Sequence, residues 1–275
     1  MIKWEHSIFA LPFALTGSVL AAGGWPRIPV LAWIVVCMVS ARSAAMAFNR
    51  LVDARLDASN PRTAMRAIPA GRLSAGFVAG FVAFSAGVFL MAAAMLNRLT
   101  LELAPLALAI ILAYSYMKRV TRWSHLVLGL ALGIAPSAAW IAVRGSLDPR
   151  IAVLSGAVVL WVGGFDVLYA CQDFEHDLAA GLKSVPQAFG LTAAFWIARA
   201  MHVGMLCMLL WLVPLFGLGP LALAGIVTVA ALLVYEHSIV SPSDLRRMNA
   251  AFFTLNGLIS IAFFGFFAAD VLLRK

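Results

Sequence analysis

Nine stretches of this chain are long and apolar enough to cross a lipid bilayer: 8–23, 28–49, 75–96, 100–117, 124–143, 150–171, 190–213, 218–236 and 250–272. About 20 apolar residues in helical form span the hydrocarbon. No water is available there to satisfy backbone N–H and C=O groups, so spans of this kind must be helices that satisfy their own. The chain is 63% hydrophobic and 12% charged, against about 25% charged residues in soluble domains. The expected architecture is therefore all-α, a polytopic membrane protein of nine transmembrane helices. The first span is short and carries Pro12, which softens its boundary. The turn-forming stretches "GGWPRIP", "RGSLDPR", "FGLGP" and "SPSD" separate several spans. Nothing reads as a soluble domain, so one membrane domain is expected over 1–275. The opening "MIKWEHSIFALPFAL" carries Glu5 and His6 and lacks a small-residue cleavage site, which argues against a removable signal peptide. Cys37, Cys171 and Cys207 have no paired spacing and read as small apolar fillers.

The net charge of +8 does not imply nucleic acid, because a chain this apolar offers no basic face. With nine spans, the connections after the second, fourth, sixth and eighth share one side with the N-terminus. That side collects 12 of the 20 Lys and Arg residues, among them Lys3, Arg50, Arg55, Arg62, Arg66, Arg72, Lys118, Arg119 and Lys183. Positive loops stay inside, so this side is expected to face the cytoplasm, in the inner membrane. The same rule places the C-terminus outside, against the sign of Arg274 and Lys275.

Acids gather on the same side. Asn49, Asp53 and Asp57 are spaced i, i+4, i+8, which forms one stripe on a helix running past the membrane surface until Pro61 ends it. Asp166, Asp173 and Asp177, spaced i, i+7, i+11, repeat the arrangement beside Gln172, Glu175 and His176. A solvated helix cap explains any one of these residues. Carboxylates near hydrocarbon are costly unless paired or bound to a cation, and two such stripes at span ends need a common cause. An all-oxygen nest suits Mg²⁺, which commonly shares its ligands with phosphates. The nearby cations Arg62, Arg66, Lys118, Arg119 and Lys183 suit a diphosphate. Acids together with cations point to metal-bridged phosphate chemistry. Acids alone would suit a cation-coupled transporter, whose acids lie nearer the bilayer centre.

These segments resemble the UbiA superfamily of intramembrane prenyltransferases. "FNRLVDARLDASNPRTAMRAIPAG" (48–71) resembles the family's first Asp-rich motif with its trailing basic segment, and "FDVLYACQDFEHDLAAGLKSVPQAFG" (165–190) resembles the second. "YSYMKRVTRWSHLVLGLALGIAP" is similar to the segment after the fourth span, and "KWEHSIFALPFAL" to the opening of the 4-hydroxybenzoate polyprenyltransferase branch. The resemblance implies nine helices around a central cavity with the Asp motifs on the cytoplasmic side. It also implies a reaction, in which Mg²⁺ holds a polyprenyl diphosphate and a ring carbon of an aromatic acid is alkylated. The expected acceptor is 4-hydroxybenzoate, for ubiquinone biosynthesis. The naphthoate 1,4-dihydroxy-6-naphthoate, of a menaquinone pathway, is the alternative. One departure is Asn49-Arg50 where the family often has Asn-Asp. Position 50 is about 100° off the acidic stripe, so the metal site should survive.

On this reading Asn49, Asp53, Asp57, Asp173 and Asp177 hold the metal, and Arg62, Arg66, Lys118 and Lys183 contact the diphosphate. Arg42 lies seven residues before Asn49, two turns deeper on nearly the same face. An arginine at that depth needs a partner, and the resemblance makes it the acceptor's carboxylate, gripped bidentately. An ion pair with Asp166 is the structural alternative. Asp166 is expected to orient the acceptor or take its ring proton. Tyr114 and Tyr169 are candidate acceptor contacts, with Asn49 beside them. The five histidines show no metal spacing, most read as structural, and Arg199 has no evident partner.

Overall fold

The computed structural model describes residues 11–274, apart from the side chains of 250–252. The architecture is all-α, as the apolar runs require. Among the described residues eight helices have the length and composition to cross a membrane. A shorter apolar helix, α1 (Leu11–Ala22), precedes them. Positions 8–10 of the first expected span lie outside the described residues.

The elements follow the expected spans closely. They are α2 (Ile28–Val52), α3 (Ala54–Ser59), α4 (Ala75–Ala94), α5 (Arg98–Ala113), α6 (Met117–Val120), α7 (Ser124–Arg144), α8 (Ile151–Ala170), α9 (Phe174–Ala179), α10 (Val185–Leu215) and α11 (Pro220–Ile239). The short α12 (Met248–Ala250) and a π-helical turn (Ala251–Leu255) lead into α13 (Asn256–Leu273). α13 begins at Asn256 instead of 250, behind the π-helical turn, and α10 begins at Val185 instead of 190. Ser184 caps it by accepting the Gln187 N–H at 3.3 Å, and Pro186 sits in its first turn, where a missing N–H costs nothing. The apolar run starts only after Gly190, whose φ of 81° breaks the helix there. Glycine adopts that conformation without a Cβ penalty.

Packing is uneven. The buried core runs along α1, α7, α8, α10, α11 and α13, with Phe13, Trp140, Trp161, Met205, Phe263 and Phe267 at its centre. α7 and α8 approach through Gly129 and Gly133, one turn apart on one face. A Cβ at Gly129 would stand 2.3 Å from the Val159 carbonyl oxygen, and one at Gly133 would stand 2.8 Å from that of Ser155. Small residues at this spacing let membrane helices pack backbone to backbone. The other wall is α2, α4 and α5, joined to one another and to α7. It is much less buried, and a cavity of about 1830 Å³ lies among α2, α5, α7 and α8.

The helix ends near 53, 118, 173 and 240 share one face of the bundle. The Lys183 N–H donates to the Lys118 carbonyl at 2.7 Å, and Arg119 reaches both the Val52 carbonyl and Asp53. This polar cap closes over the cavity mouth. At the other face Asp270 accepts the Gly219 and Ala222 N–H groups and so caps α11, and Arg274 pairs with its charge.

Candidate functional site

The first acidic stripe survives a break in its helix. Asp53 ends α2 with φ −91° and ψ 7°, so the stripe does not lie on one continuous helix. Its N–H still reaches the Asn49 carbonyl at 2.9 Å, and the Asp57 N–H reaches the Asp53 carbonyl at 2.7 Å, which keeps the three residues on one face. Asn60 folds the chain after Pro61. Its Oδ1 accepts the Arg62 N–H at 2.9 Å, and Thr63 ties back to the Asp57 carbonyl at 3.0 Å. The second stripe follows a tightened turn, Cys171–Asp173, into α9. Gly181 stops α9 with positive φ, and the Leu182 N–H returns to the Asp177 carbonyl at 2.9 Å.

Both stripes meet at the mouth of the cavity, and Asn49, Asp53, Asp57, Asp173 and Asp177 line it. The Asn60 Nδ2 donates to Asp173 Oδ1 at 3.1 Å, and Arg62 grips Asp173 bidentately, Nε to Oδ1 at 2.9 Å and Nη2 to Oδ2 at 2.5 Å. The two motifs are thus hydrogen-bonded across more than 100 residues of sequence.

Each of the four aspartates has its own basic partner. Arg119 donates to Asp53 at 2.8 Å and Arg66 to Asp57 at 2.5 Å, Arg62 holds Asp173, and the Lys118 ammonium lies 3.9 Å from Asp177. Lys118 is also close enough to Asp53 and Asp173 to act on their charges. Burial pushes the Asp53 carboxyl above its usual range, while the Arg119 hydrogen bond and charge pull it down. Burial also opposes the charge on Arg62, but its bonds to Asp173 outweigh this and raise its pKa.

Three acids or imidazoles converging on one point are not found among the described residues. The donor set nonetheless suits a hard divalent cation. Asp57 Oδ2 and Asp177 Oδ2 are buried without a hydrogen-bond partner, the kind of orphaned oxygen a bound cation satisfies. A metal diphosphate entering this mouth would exchange partners, the carboxylates turning to metal and the released arginines and lysine to phosphate oxygens.

Arg42 lies deeper on α2, facing the same cavity. It makes no ion pair among the described residues, and its Nε is buried without a partner. The alternative, a structural pair with Asp166, does not form; Asp166 Oδ2 instead meets His125 Nδ1 at 2.7 Å. Asp166, Tyr114 and Tyr169 line the cavity, as does Arg50, beside the acidic stripe. The Tyr169 hydroxyl accepts from Arg62 at 3.1 Å. Lys183 is not among the lining residues; its ammonium donates to the Val120 carbonyl at 3.1 Å. Arg199 stacks over the Trp196 ring at 4.8 Å. Below Arg42 the lining turns apolar, with Ile34, Met38, Phe89, Leu103 and Ile111.

Sequence spacing did not single out Asn60, Arg119's bond to Asp53, or His125. An Asn-Pro after an acidic stripe is a recognisable turn signal. A lone histidine at the start of an apolar run carries no local pattern.

Residues 10–258 match the UbiA prenyltransferase family. The 4-hydroxybenzoate octaprenyltransferase of Vibrio cholerae serotype O1 is 32% identical over 254 residues, covering 91% of this chain and 88% of that protein. The 4-hydroxybenzoate octaprenyltransferase of Aliivibrio fischeri is 30% identical over 246 residues, covering 88% of this chain and 86% of that protein. Among solved structures, a UbiA homologue from Aeropyrum pernix superposes with a TM-score of 0.90 at 31% identity, covering 99% of this chain and 100% of the other. A UbiA homologue from Archaeoglobus fulgidus bound to DMAPP and Mg²⁺ gives a TM-score of 0.76 at 17% identity, covering 98% of each chain.

Proposed function

The chain belongs to the UbiA prenyltransferase family, and we propose that it transfers a polyprenyl group from a polyprenyl diphosphate to a ring carbon of an aromatic acid, with Mg²⁺ as cofactor. The observation that carries this reading is the stacking of two unlike binding elements in one cavity. Four carboxylates and their exchangeable cations ring the mouth, and an arginine with an unsatisfied Nε lies beneath them. The mouth suits a diphosphate and the arginine suits a carboxylate. The names of the relatives support 4-hydroxybenzoate as the acceptor, and the ligands of the Archaeoglobus fulgidus homologue support the donor and the metal. The excess of basic residues on the site's face supports a multi-pass location in the inner membrane with the mouth toward the cytoplasm.

Asn49, Asp53, Asp57, Asp173 and Asp177 would hold Mg²⁺, which when bound supplies positive charge to the departing diphosphate. Arg62, Arg66, Lys118 and Arg119 would turn to the phosphate oxygens and stabilise the charge that grows there, while Lys183 braces the loop behind Lys118. The allylic C–O bond breaks with its electron pair leaving on diphosphate. Arg42 orients the acid so that a ring carbon faces the allylic carbon. Tyr114 and Tyr169 present aromatic faces to ring and carbocation. The apolar lower cavity takes the prenyl chain.

The test uses purified protein in lipid nanodiscs with Mg²⁺, a polyprenyl diphosphate, and either 4-hydroxybenzoate or 1,4-dihydroxy-6-naphthoate. A prenylated 4-hydroxybenzoate is expected. Alkylation of the naphthoate alone would move the assignment to that acceptor, and alkylation of neither would overturn the reading. Replacing Arg42 with Ala is expected to raise the acceptor's KM by about 10²-fold, the usual scale for losing one side of a buried charge pair. The KM of the prenyl diphosphate should hardly move. Equal shifts in both would remove Arg42 from the acceptor site.

A further inference from the structure

Of the five aspartates that line the cavity, four are matched by an arginine or lysine, and Asp166 is not. Its partner is His125, Nδ1 to Oδ2 at 2.7 Å, and this ring is fully buried. The other ring nitrogen decides the protonation pattern. Nε2 lies 3.2 Å from the backbone nitrogen of Val185. A backbone amide can only donate, so Nε2 must present its lone pair and the ring proton must sit on Nδ1. His125 is therefore held as a neutral imidazole that donates to Asp166. Charging it would turn both ring nitrogens into donors, one of them facing the Val185 N–H. That amide is the first of α10 and has no partner within its own helix. The contact locks the starts of α7 and α10 to the inner face of α8.

A neutral donor orients a carboxylate without cancelling its charge. We propose that His125 is a positioning residue for the prenyl transfer, fixing Asp166 as an uncompensated carboxylate that takes the ring proton of the aromatic acceptor. This rests on the function proposed above. Asp166 lies seven residues before Asp173, and Arg42 eleven before Asp53. With the tightened turn at Cys171–Asp173 counted at about 2 Å per residue, they sit about 12 Å and about 16 Å below the acidic ends. Arg42 therefore lies deeper than Asp166 by somewhat less than one helical turn, the scale of an aromatic acid from its carboxylate to the far side of its ring. An acid gripped by Arg42 thus presents its far ring carbons at the level of Asp166. When the ring's π electrons form the new C–C bond to the allylic carbon, the C–H bond at that ring carbon breaks. Its electron pair restores the aromatic ring, and the proton passes to the Asp166 carboxylate. The diphosphate has already left with the C–O pair, so charge and atoms balance.

The test compares His125→Leu, which removes both ring hydrogen bonds, with His125→Asn, whose amide N–H replaces Nδ1–H. Each is assayed in nanodiscs with 4-hydroxybenzoate and with the acceptor deuterated at the alkylated ring carbon. In the Leu variant kcat should fall by about 10²-fold, the scale of a mispositioned proton acceptor, with the prenyl diphosphate KM nearly unchanged. A primary isotope effect, absent in the parent, should emerge as proton loss becomes limiting. The Asn variant should recover most of the rate and lose the isotope effect. If the Leu variant does not fold, Asp166→Asn, which keeps the shape without the charge, should show the same low kcat. A Leu variant with the parent's kcat would overturn the proposal, as would a loss without an isotope effect that Asn fails to rescue. A parent that alkylates no acceptor would overturn the acceptor assignment, and this proposal with it.

Discussion

Replacing Asp177 with Asn should reduce prenyl transfer by about 10³-fold, the upper range for removing one preorganised electrostatic contact to a developing charge. The substitution keeps the side chain's shape and removes its charge. Asp177 Oδ2 is buried without a hydrogen bond, and its nearest cation is the Lys118 ammonium at 3.9 Å. Its carboxylate is thus the farthest of the four from its basic partner and has an oxygen ready to accept a metal. Asp57→Asn should behave alike, since Asp57 Oδ2 is equally unpartnered. In both variants the activity should recover partly as Mg²⁺ is raised, because the lost group binds metal and not acceptor. Asp53→Asn and Asp173→Asn should also lose activity, and each would free its arginine partner. The measurement is initial rate against Mg²⁺ concentration. Full activity at ordinary Mg²⁺ in the Asp177 and Asp57 variants would remove both residues from the metal site.

The second large effect is on folding. Gly129→Ala should cost about 3 kcal/mol, at the high end for overpacking, because the new methyl would stand 2.3 Å from the Val159 carbonyl oxygen with backbone behind it. α7 and α8 would have to part, and both line the cavity. The control is Gly80→Ala on α4, where a Cβ meets nothing within 4 Å. That change should be neutral or stabilise by up to about 1 kcal/mol through helix propensity. The thermal midpoint of the detergent-solubilised protein checks both. Equal midpoints would show that the α7–α8 contact yields more easily than its geometry implies.

The bundle was readable from the apolar runs because bilayer thickness sets helix length directly. Expected and observed spans differ by at most six residues; at α10 the Ser184 cap and Pro186 turn lie ahead of the hydrophobic segment, and at α13 a π-helical turn precedes the helix. The acidic stripes were readable because three- and four-residue spacing survives small irregularities such as the break at Asp53. Their partners were not. Arg62 finds Asp173 from 111 positions away, and Arg119 finds Asp53 from 66. No local spacing encodes such pairings; they emerge only when α2, α5 and α8 end at the same depth. The same holds for His125, whose role no spacing within its own segment conveys. Its significance depends on Asp166 and Val185, which the fold delivers from α8 and α10.

The matching of each mouth carboxylate to its own arginine or lysine has a consequence for the empty protein. Four neighbouring negative charges would ordinarily repel one another and pry the helix tips apart until an ion arrived. Here the counterions are covalently part of the chain, so the tips stay together whether or not magnesium is present, and chelators should silence the catalyst without dismantling it.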